Sequence, residues 1–307
     1  MSESSPIGLV YALGALCLWS TSPFFFLAMS RHVSAFTTNL TRLLLATLFL
    51  IAGCTAQSAW LGVWPAALIP GFKASLYLAL SGVAALAVGD HFMYRSLFTA
   101  GPERTALILL LSPAITAALA WISMGETLSS AQILGMVLVL AGVALTIWKT
   151  GKAEKSGVSP HVIRDSIASA ACLGVGSMLA RQAFFIEPSV NPLVGTAIRV
   201  GSGALVLLIA ARYRGSLNSA LRSVRPPMVA KNLLGGVLTG PVLGMLFFIT
   251  AMKFQPAGIV TTITFMSPLL IIPIGMIRFG TRLDLKTLGG GAVALGGVIL
   301  LGLNSRS

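Results

Sequence analysis

Four polar residues lie close together in an otherwise apolar part of the chain: Asp90, His91, Tyr94 and Arg95. On a helix, Asp90 and Tyr94 share one face and His91 and Arg95 share the neighbouring face. A buried carboxylate that can titrate is what a proton-coupled carrier needs, and a phenol beside it can hydrogen-bond a solute. We therefore expect Asp90, His91 and Tyr94 to bind a small substrate, with Asp90 as a candidate proton-coupling group. The alternative is that Asp90 pairs with an arginine of a neighbouring helix and Arg95 reaches the membrane surface.

Three arginines also lie within apolar stretches: Arg42, Arg181 and Arg199. An ionisable side chain at the centre of a membrane helix costs ~2.5–3.5 kcal/mol on insertion scales, so each one needs a reason. Three arginines against Asp90 leave an excess of positive charge, which would suit an anionic substrate group. Arg42 and Arg199 lie about eight residues into their predicted helices, close enough to the membrane interface for a long side chain to snorkel to the surface. Arg181 lies deeper and is a substrate-binding candidate.

The first apolar stretch is interrupted by Trp19 and the segment Ser20 to Pro23. Proline removes a helix hydrogen bond, and nearby hydroxyls can bond the freed carbonyls. Tryptophan is usual at the membrane interface, so one at mid-span needs a partner for its N–H group or a cavity. We expect Trp19 to line a cavity.

The composition is that of a chain in lipid. Apolar residues make up 56% of it and charged residues 9%, whereas soluble domains are about 25% charged. The apolar runs are long enough to cross the ~30 Å hydrocarbon core and lack the alternation of strands, which predicts an all-α integral membrane protein. The net charge of +13 comes mostly from loops between these runs. We therefore expect the lipid bilayer, and no nucleic acid, as a partner.

The motifs of hydrolases, phosphate-binding loops and metalloproteases are absent from the sequence, which has only eight acidic residues. Cys17, Cys54 and Cys172 lie in apolar runs with no metal-binding spacing. The sequence therefore predicts no enzyme, no cofactor and no metal site.

Ten helices are predicted from the apolar runs and their polar, glycine or proline boundaries. They cover roughly residues 7–28, 35–54, 75–98, 104–124, 130–148, 165–186, 192–211, 232–252, 257–278 and 285–303.

The chain contains an internal repeat. Six residues recur at a constant offset of 155: Gly89, Ser112, Pro113, Gly125, Leu128 and Gly142 are matched by Gly244, Ser267, Pro268, Gly280, Leu283 and Gly297. Each copy has five helices, an odd number, so the second copy enters the membrane in the opposite direction. We therefore predict two inverted five-helix repeats, at 1–150 and 165–307, joined by a basic linker at 151–164.

Two features of the repeat predict how its helices move and pack. Pro113 and Pro268 each follow a serine inside an apolar helix, so we expect paired hinges there. Gly135 and Gly142 correspond to Gly290 and Gly297, and small residues at this spacing let helices approach closely. These glycines are expected to pack the bundle or to form a homodimer contact.

The loop charges predict the orientation in the membrane. Lys73, Lys253 and Arg306 lie in loops on one side, and fifteen Lys and Arg residues lie on the other: Arg31, Arg95, Arg104, Lys149, Lys152, Lys155, Arg164, Arg212, Arg214, Arg222, Arg225, Lys231, Arg278, Arg282 and Lys286. Since cytoplasmic loops carry the excess of positive charge, both termini are predicted outside the cytoplasm.

The segment Ala106 to Leu128 reads ALILLLSPAITAALAWISMGETL. It resembles the helix 4 signature of the EamA-like family of the drug/metabolite transporter superfamily. The segment Trp19 to Thr21 is similar to its helix 1 tryptophan motif, Arg42 to its helix 2 arginine, and Tyr94 to Leu97 to its aromatic-x-Ala-Leu string. The glycine turn departs from the family, since Thr127 stands where arginine is usual.

The resemblance implies a secondary transporter of the inner membrane, commonly an exporter of amino acids or other small metabolites. It also implies a central cavity between the repeats, which adds Ser112 and Ser267 to the substrate-binding candidates already given. Typical members keep both termini in the cytoplasm, opposite to the charge-based prediction here.

Two alternatives to a metabolite carrier stay open. A lipid or lipid-linked-sugar flippase would need a cavity that opens towards lipid. A non-transporting scaffold or sensor subunit would have no central polar cavity, and Asp90 and Arg181 would be paired in tight packing.

Overall fold

The computed structural model describes residues 6–150, 159–267, 269–270 and 285–303. Within these ranges every regular element is a helix. Pro268, predicted as a hinge, and the end of the helix predicted at 257–278 lie outside the described residues.

The first half of the chain contains six α-helices, one 3₁₀ turn and one π-helical segment. They are α1 (Pro6–Met29), α2 (Ala35–Leu61), the 3₁₀ turn (Pro65–Leu68), α3 (Phe72–Gly82), the π segment (Val83–Gly89), α4 (Asp90–Leu109), α5 (Leu111–Met124) and α6 (Ser130–Thr150). Ser34 caps the start of α2 by accepting a hydrogen bond from the Thr37 N–H, and left-handed Gly62 ends it.

In the described part of the second half, α-helices again flank one π-helical segment. They are α7 (Pro160–Ile186), α8 (Pro192–Tyr213), α9 (Leu217–Ser223), α10 (Pro227–Val237), the π segment (Leu238–Val242), α11 (Leu243–Phe254), α12 (Ala257–Thr264) and, after a gap, α13 (Leu285–Leu303). Proline begins α7, α8 and α10, at positions where its missing N–H costs no hydrogen bond.

Seven helical stretches in the described residues are long and apolar enough to cross a membrane. They are Pro6–Met29, Ala35–Leu61, Phe72–Gly101, Thr105–Met124, Pro160–Ile186, Pro192–Tyr213 and Pro227–Phe254. Two shorter apolar helices cover Ser130–Leu145 and Gly289–Leu301. The chain is therefore a multi-pass membrane protein.

The break expected near Pro113 comes slightly earlier in the structure. Gly101, with φ of 82°, interrupts the helical geometry of α4, and the turn at Leu110 separates α4 from α5. Pro113 therefore lies in the first turn of α5, where a helix tolerates proline.

The two π-helical segments were not predicted. They begin at Val83 and Leu238, which are 155 residues apart, the offset of the sequence repeat. A π turn adds a residue to the helical turn and is often found at functional sites. Each segment directly precedes residues of the site described below.

Helices α6 and α13 pack together through the predicted glycines. A Cβ atom at Gly297 would lie 2.6 Å from the Gly135 carbonyl oxygen, and one at Gly142 would meet the Gly290 carbonyl oxygen. By contrast, no atom lies within 4 Å of the Cβ position at Gly296.

Gly297→Ala is therefore expected to lower the free energy of unfolding by about 1–3 kcal/mol, because the methyl group would separate two closely packed helices. Gly296→Ala is the matched control, and it should be neutral or slightly stabilising because alanine favours helix. Thermal unfolding in detergent measures both. Equal stability of the two variants would contradict the packing of these helices.

Candidate functional site

A cavity of about 250 Å³ lies inside the helix bundle, lined by residues from both halves of the chain. Its polar lining includes Trp19, Ser22, Arg42, Asp90, Tyr94, Thr105, Ser177, Arg199, Thr264 and Ser267. Aromatic and aliphatic side chains, among them Phe26, Leu109, Met245 and Phe248, form much of the remaining wall. Such a surface can enclose a small ligand and hold a few of its polar groups in fixed positions.

Asp90 and Arg42 form a buried ion pair on this cavity. Asp90 is the first residue of α4 after the π segment, and an Arg42 Nη2 group donates to its Oδ2. Arg42 also donates to Asn39 Oδ1 from Nε (3.0 Å) and Nη2 (2.8 Å). Asn39 in turn donates to the Leu86 carbonyl at 2.9 Å. These hydrogen bonds hold both charges in place. The pairing of Asp90 with an arginine of a neighbouring helix is the alternative interpretation given above.

Tyr94 completes this cluster. Its side chain is buried, and the Arg42 guanidinium lies over its ring, 5.2 Å from the ring centre. The Phe26 ring meets it edge-on at 5.7 Å. Because Asp90 and Tyr94 share a helix face, both reach the cavity.

Arg199 lies on the cavity without a carboxylate partner among the described residues. It is 2% exposed, and its guanidinium lies 5.4 Å from the centre of the Phe248 ring. Nη1 donates a long hydrogen bond of 3.5 Å to the Gly176 carbonyl, and Nε is buried with no hydrogen bond to any residue that the structure describes. The expectation that Arg42 and Arg199 snorkel to the surface is wrong, since both are buried inside the bundle.

Trp19 and Ser267 also line the cavity. Trp19 Nε1 donates to the Gly240 carbonyl at 3.3 Å, and the indole packs on Phe248 with ring centres 5.0 Å apart. Gly240 belongs to the second π segment, so an irregular backbone supplies the acceptor. Ser267 donates to the Thr264 carbonyl at 2.7 Å.

Three candidates from the sequence are not among the residues that line this cavity: His91, Ser112 and Arg181. The His91 ring contacts Phe36 edge-on at 6.0 Å, on the neighbouring helix face. Ser112 is fully buried, and its hydroxyl has no hydrogen-bond partner in the described part of the chain.

Arg181 forms a separate polar cluster with Glu126, which we name the clasp. Arg181 Nε donates to Glu126 Oε1, and Nη1 donates to the Met252 and Lys253 carbonyls at 2.6 and 3.2 Å. Glu126 Oε2 accepts from the Ala257 N–H at 3.2 Å. The clasp thus joins the turn after α5, helix α7, the end of α11 and the start of α12. Glu126 is not among the site residues predicted from the sequence, because nothing in its local spacing identifies a partner 55 residues away.

Asp165 forms a further charged cluster, with Arg95 and Arg164 each at 3.2 Å. Next to it, Ser96 forms hydrogen bonds with Thr105 at 2.8 Å and Ser166 at 2.7 Å. The ion pair of Arg95 with Asp165 and the hydrogen bond of Ser96 with Ser166 join α4 to α7. Arg95 is therefore paired outside the cavity.

In the described part of the chain, no group of three or more His, Cys, Asp or Glu side chains could hold a metal ion. The charged residues on the cavity are Arg42, Asp90 and Arg199. Since Arg42 and Asp90 neutralise each other, the described residues leave one uncompensated positive charge on the cavity.

Comparison with known proteins agrees with this architecture. The model of the EamA-like transporter family matches residues 6–148 and 166–303. No curated protein sequence matches the chain. A solved structure described as "Crystal structure of protein" is 18% identical, covers 97% of this chain and 97% of its own, and superposes with a TM-score of 0.71. At that identity, the likeness concerns the fold alone.

Proposed function

Because the chain belongs to the EamA-like transporter family, we propose that it is a secondary active transporter that exports a small metabolite, such as an amino acid. The observation that carries this proposal is the cavity inside the bundle, which holds buried charged groups and is lined by helices of both halves. A solute that enters such a cavity can exchange its water shell for fixed polar groups while it crosses the bilayer.

The proposed architecture is ten transmembrane helices in two inverted five-helix repeats, at 1–150 and 165–307. Two observations support it: the family model matches each half of the chain separately, and the π segments begin 155 residues apart. The halves would rock against each other about the cavity, with Pro113 and Pro268 near the flexing regions.

Alternating access requires that the cavity be closed towards one side at a time. The clasp supports this mechanism, because Glu126 belongs to the first half and Arg181 and the Met252 carbonyl belong to the second. We propose that the clasp closes the end of the bundle that carries Lys253. By the loop-charge rule this end faces away from the cytoplasm of an inner membrane, and both termini lie on the same side.

The cavity counts against a non-transporting scaffold, which would lack such a chamber and would pair Asp90 with Arg181. Asp90 instead pairs with Arg42, and Arg181 pairs with Glu126. The Asp90–Arg42 pair lines the cavity in which a solute can fit, and the Arg181–Glu126 pair lies outside it.

Asp90→Asn tests whether Asp90 couples transport to protons. A proton on Asp90 would release Arg42 and change the charge of the cavity, whereas asparagine cannot make this change. We expect Asp90→Asn to reduce solute accumulation driven by a pH gradient in proteoliposomes to the level seen without a gradient. Counterflow, which needs no gradient, should continue.

Asp165→Asn is the matched control, since Asp165 is also buried and paired with arginine but lies outside the cavity. It should keep the response to the gradient. Unchanged gradient-driven accumulation by Asp90→Asn would refute the coupling role.

A further inference from the structure

We propose that Arg199 binds the carboxylate of the transported solute, and that this solute is an organic monoanion with an apolar body. This inference rests on the proposed transport function and names the substrate class for the same cavity, in place of the amino acid given there as an example. It depends on three features of the cavity: its charge balance, the unused donors of Arg199 and the aromatic wall beside them.

The charge balance of the cavity favours an anion. Arg42 and Asp90 form a neutral pair, and Asn39 binds Arg42 as well. Arg199 does not form an ion pair with Asp90, although the two charges attract each other across the site. A buried charge is stabilised only when it is paired. A monoanionic ligand would make the cavity neutral, whereas a zwitterion would leave its net charge unchanged and a cation would increase it.

The guanidinium of Arg199 has N–H groups that are available to a ligand. It is 2% exposed and lines the cavity, yet its hydrogen bond to the Gly176 carbonyl is long, at 3.5 Å. Nε is buried and makes no hydrogen bond within the described residues. Arginine has five N–H donors in a fixed plane and binds a carboxylate through two parallel hydrogen bonds.

The backbone of Arg199 is held firmly, so the anchor is in position before a ligand binds. A Cβ atom at Gly82 would collide with the Arg199 carbonyl oxygen, which shows how closely α3 and α8 approach. Ser202 also joins the two helices by donating to the Ala79 carbonyl at 2.9 Å. The backbone of Arg199 is therefore already ordered in the free protein, so that binding loses less conformational entropy there.

The wall next to Arg199 fits an apolar or aromatic body. Phe248 lies under the guanidinium and packs against Trp19, and Met245 lines the same wall. The cavity volume of 250 Å³ equals that of roughly eight liquid water molecules. A small aromatic or branched aliphatic monocarboxylate matches both the size and the chemistry.

The test uses purified full-length protein in detergent and a panel of matched compounds. The monocarboxylates are acetate, benzoate and 3-phenylpropanoate, and their amides have the same shape without the charge. Phenylalanine represents a zwitterion and phenethylamine a cation. We expect benzoate or 3-phenylpropanoate to raise the melting temperature by about 5 °C or more at saturating concentration, and the amides to have no effect.

Arg199→Gln should abolish this stabilisation, and Arg199→Lys should keep part of it because the positive charge remains. Arg212→Gln is the matched control, since it removes an exposed arginine from the same helix α8. Without ligand, Arg199→Gln should melt about 2–4 °C above the wild-type temperature, because it removes an unpaired buried charge. A lower melting temperature would show that the protein already pairs this guanidinium, and would overturn the proposal.

Three other results would also overturn it: stabilisation by the amides equal to that by the acids, an unchanged response in Arg199→Gln, or no stabilisation by any carboxylate. Counterflow in proteoliposomes then separates this inference from the proposed function. If phenylalanine or phenethylamine is carried without need of Arg199, the substrate class is wrong and the transporter stands. If carboxylates bind through Arg199 but show no counterflow, the anchor stands and the transport function falls.

Discussion

Arg42→Gln is expected to lower the free energy of unfolding by about 3–5 kcal/mol, because it leaves the buried Asp90 carboxylate without its positive partner. The structure gives this carboxylate no water-exposed alternative, since Asp90 is 6% exposed. For a chain of this size, the change corresponds to a fall of roughly 6–20 °C in melting temperature. Thermal unfolding of the purified variant in detergent measures it.

The double variant Arg42→Gln/Asp90→Asn is the critical comparison. It removes both charges together, so most of the lost stability should return even though the ion pair is absent. Arg31→Gln, an exposed arginine outside the spans, should be within about 0.5 kcal/mol of wild type. A double variant no more stable than Arg42→Gln would contradict the pairing of Asp90 with Arg42.

Glu126→Gln is expected to weaken closure of the cavity at the Lys253 end by about 3 kcal/mol. Glutamine keeps the size of the side chain but leaves Arg181 buried without a carboxylate. Since 1.4 kcal/mol is a factor of ten, the ratio of closed to open molecules at that end should fall by roughly 100-fold. On the proposed mechanism the clasp contacts are made only when this end is closed, so the whole effect falls on that equilibrium.

Chemical labelling of the variant Ser177→Cys measures this change in the ratio of closed to open molecules. Ser177 lines the cavity, and the native cysteines Cys17, Cys54 and Cys172 would first be replaced by serine. Glu126→Gln should increase labelling from the Lys253 side. Glu187→Gln is the matched control, since Glu187 lies just after α7 and accepts from the Gly71 N–H at 2.8 Å, outside the clasp. Equal labelling of both variants would contradict the role of the clasp.

The membrane helices and the family were predictable from sequence because both depend on local pattern. Long apolar runs have one stable solution in lipid, and the match to the EamA-like model covers both halves of the chain. The irregular turns were less predictable. Pro113 predicted a hinge in the first half, whereas the π segment Val83–Gly89 contains no proline that would mark it. The second π segment, Leu238–Val242, does contain one, Pro241.

Residues of the site were predictable where helix geometry decides the outcome. Asp90 and Tyr94 share one face and both reach the cavity, and His91 on the neighbouring face does not. Arg42 and Arg199 were assigned to the surface because helix position alone suggested it. Their burial depends on Asn39 and Phe248, which are brought to them only by the packing of other helices.

The pairing of charges was the least predictable part of the site. Spacing reveals partners that are three or four residues apart on one helix. Glu126 belongs to the first half of the chain, whereas Arg181 and the Met252 carbonyl that accepts from it belong to the second half. Such contacts follow from how the halves meet, which local sequence does not encode.

The measurement that tests alternating access most directly is labelling of the cysteine at position 177 from each side of the membrane, in intact cells and in inverted vesicles. A small, anionic, membrane-impermeant thiol reagent suits the positive cavity, and the experiment needs no knowledge of the solute. Alternating access predicts that the cysteine is labelled from both sides, and that Glu126→Gln raises only the labelling from the Lys253 side. Labelling from a single side, unchanged by Glu126→Gln, would contradict a carrier that opens its cavity to both.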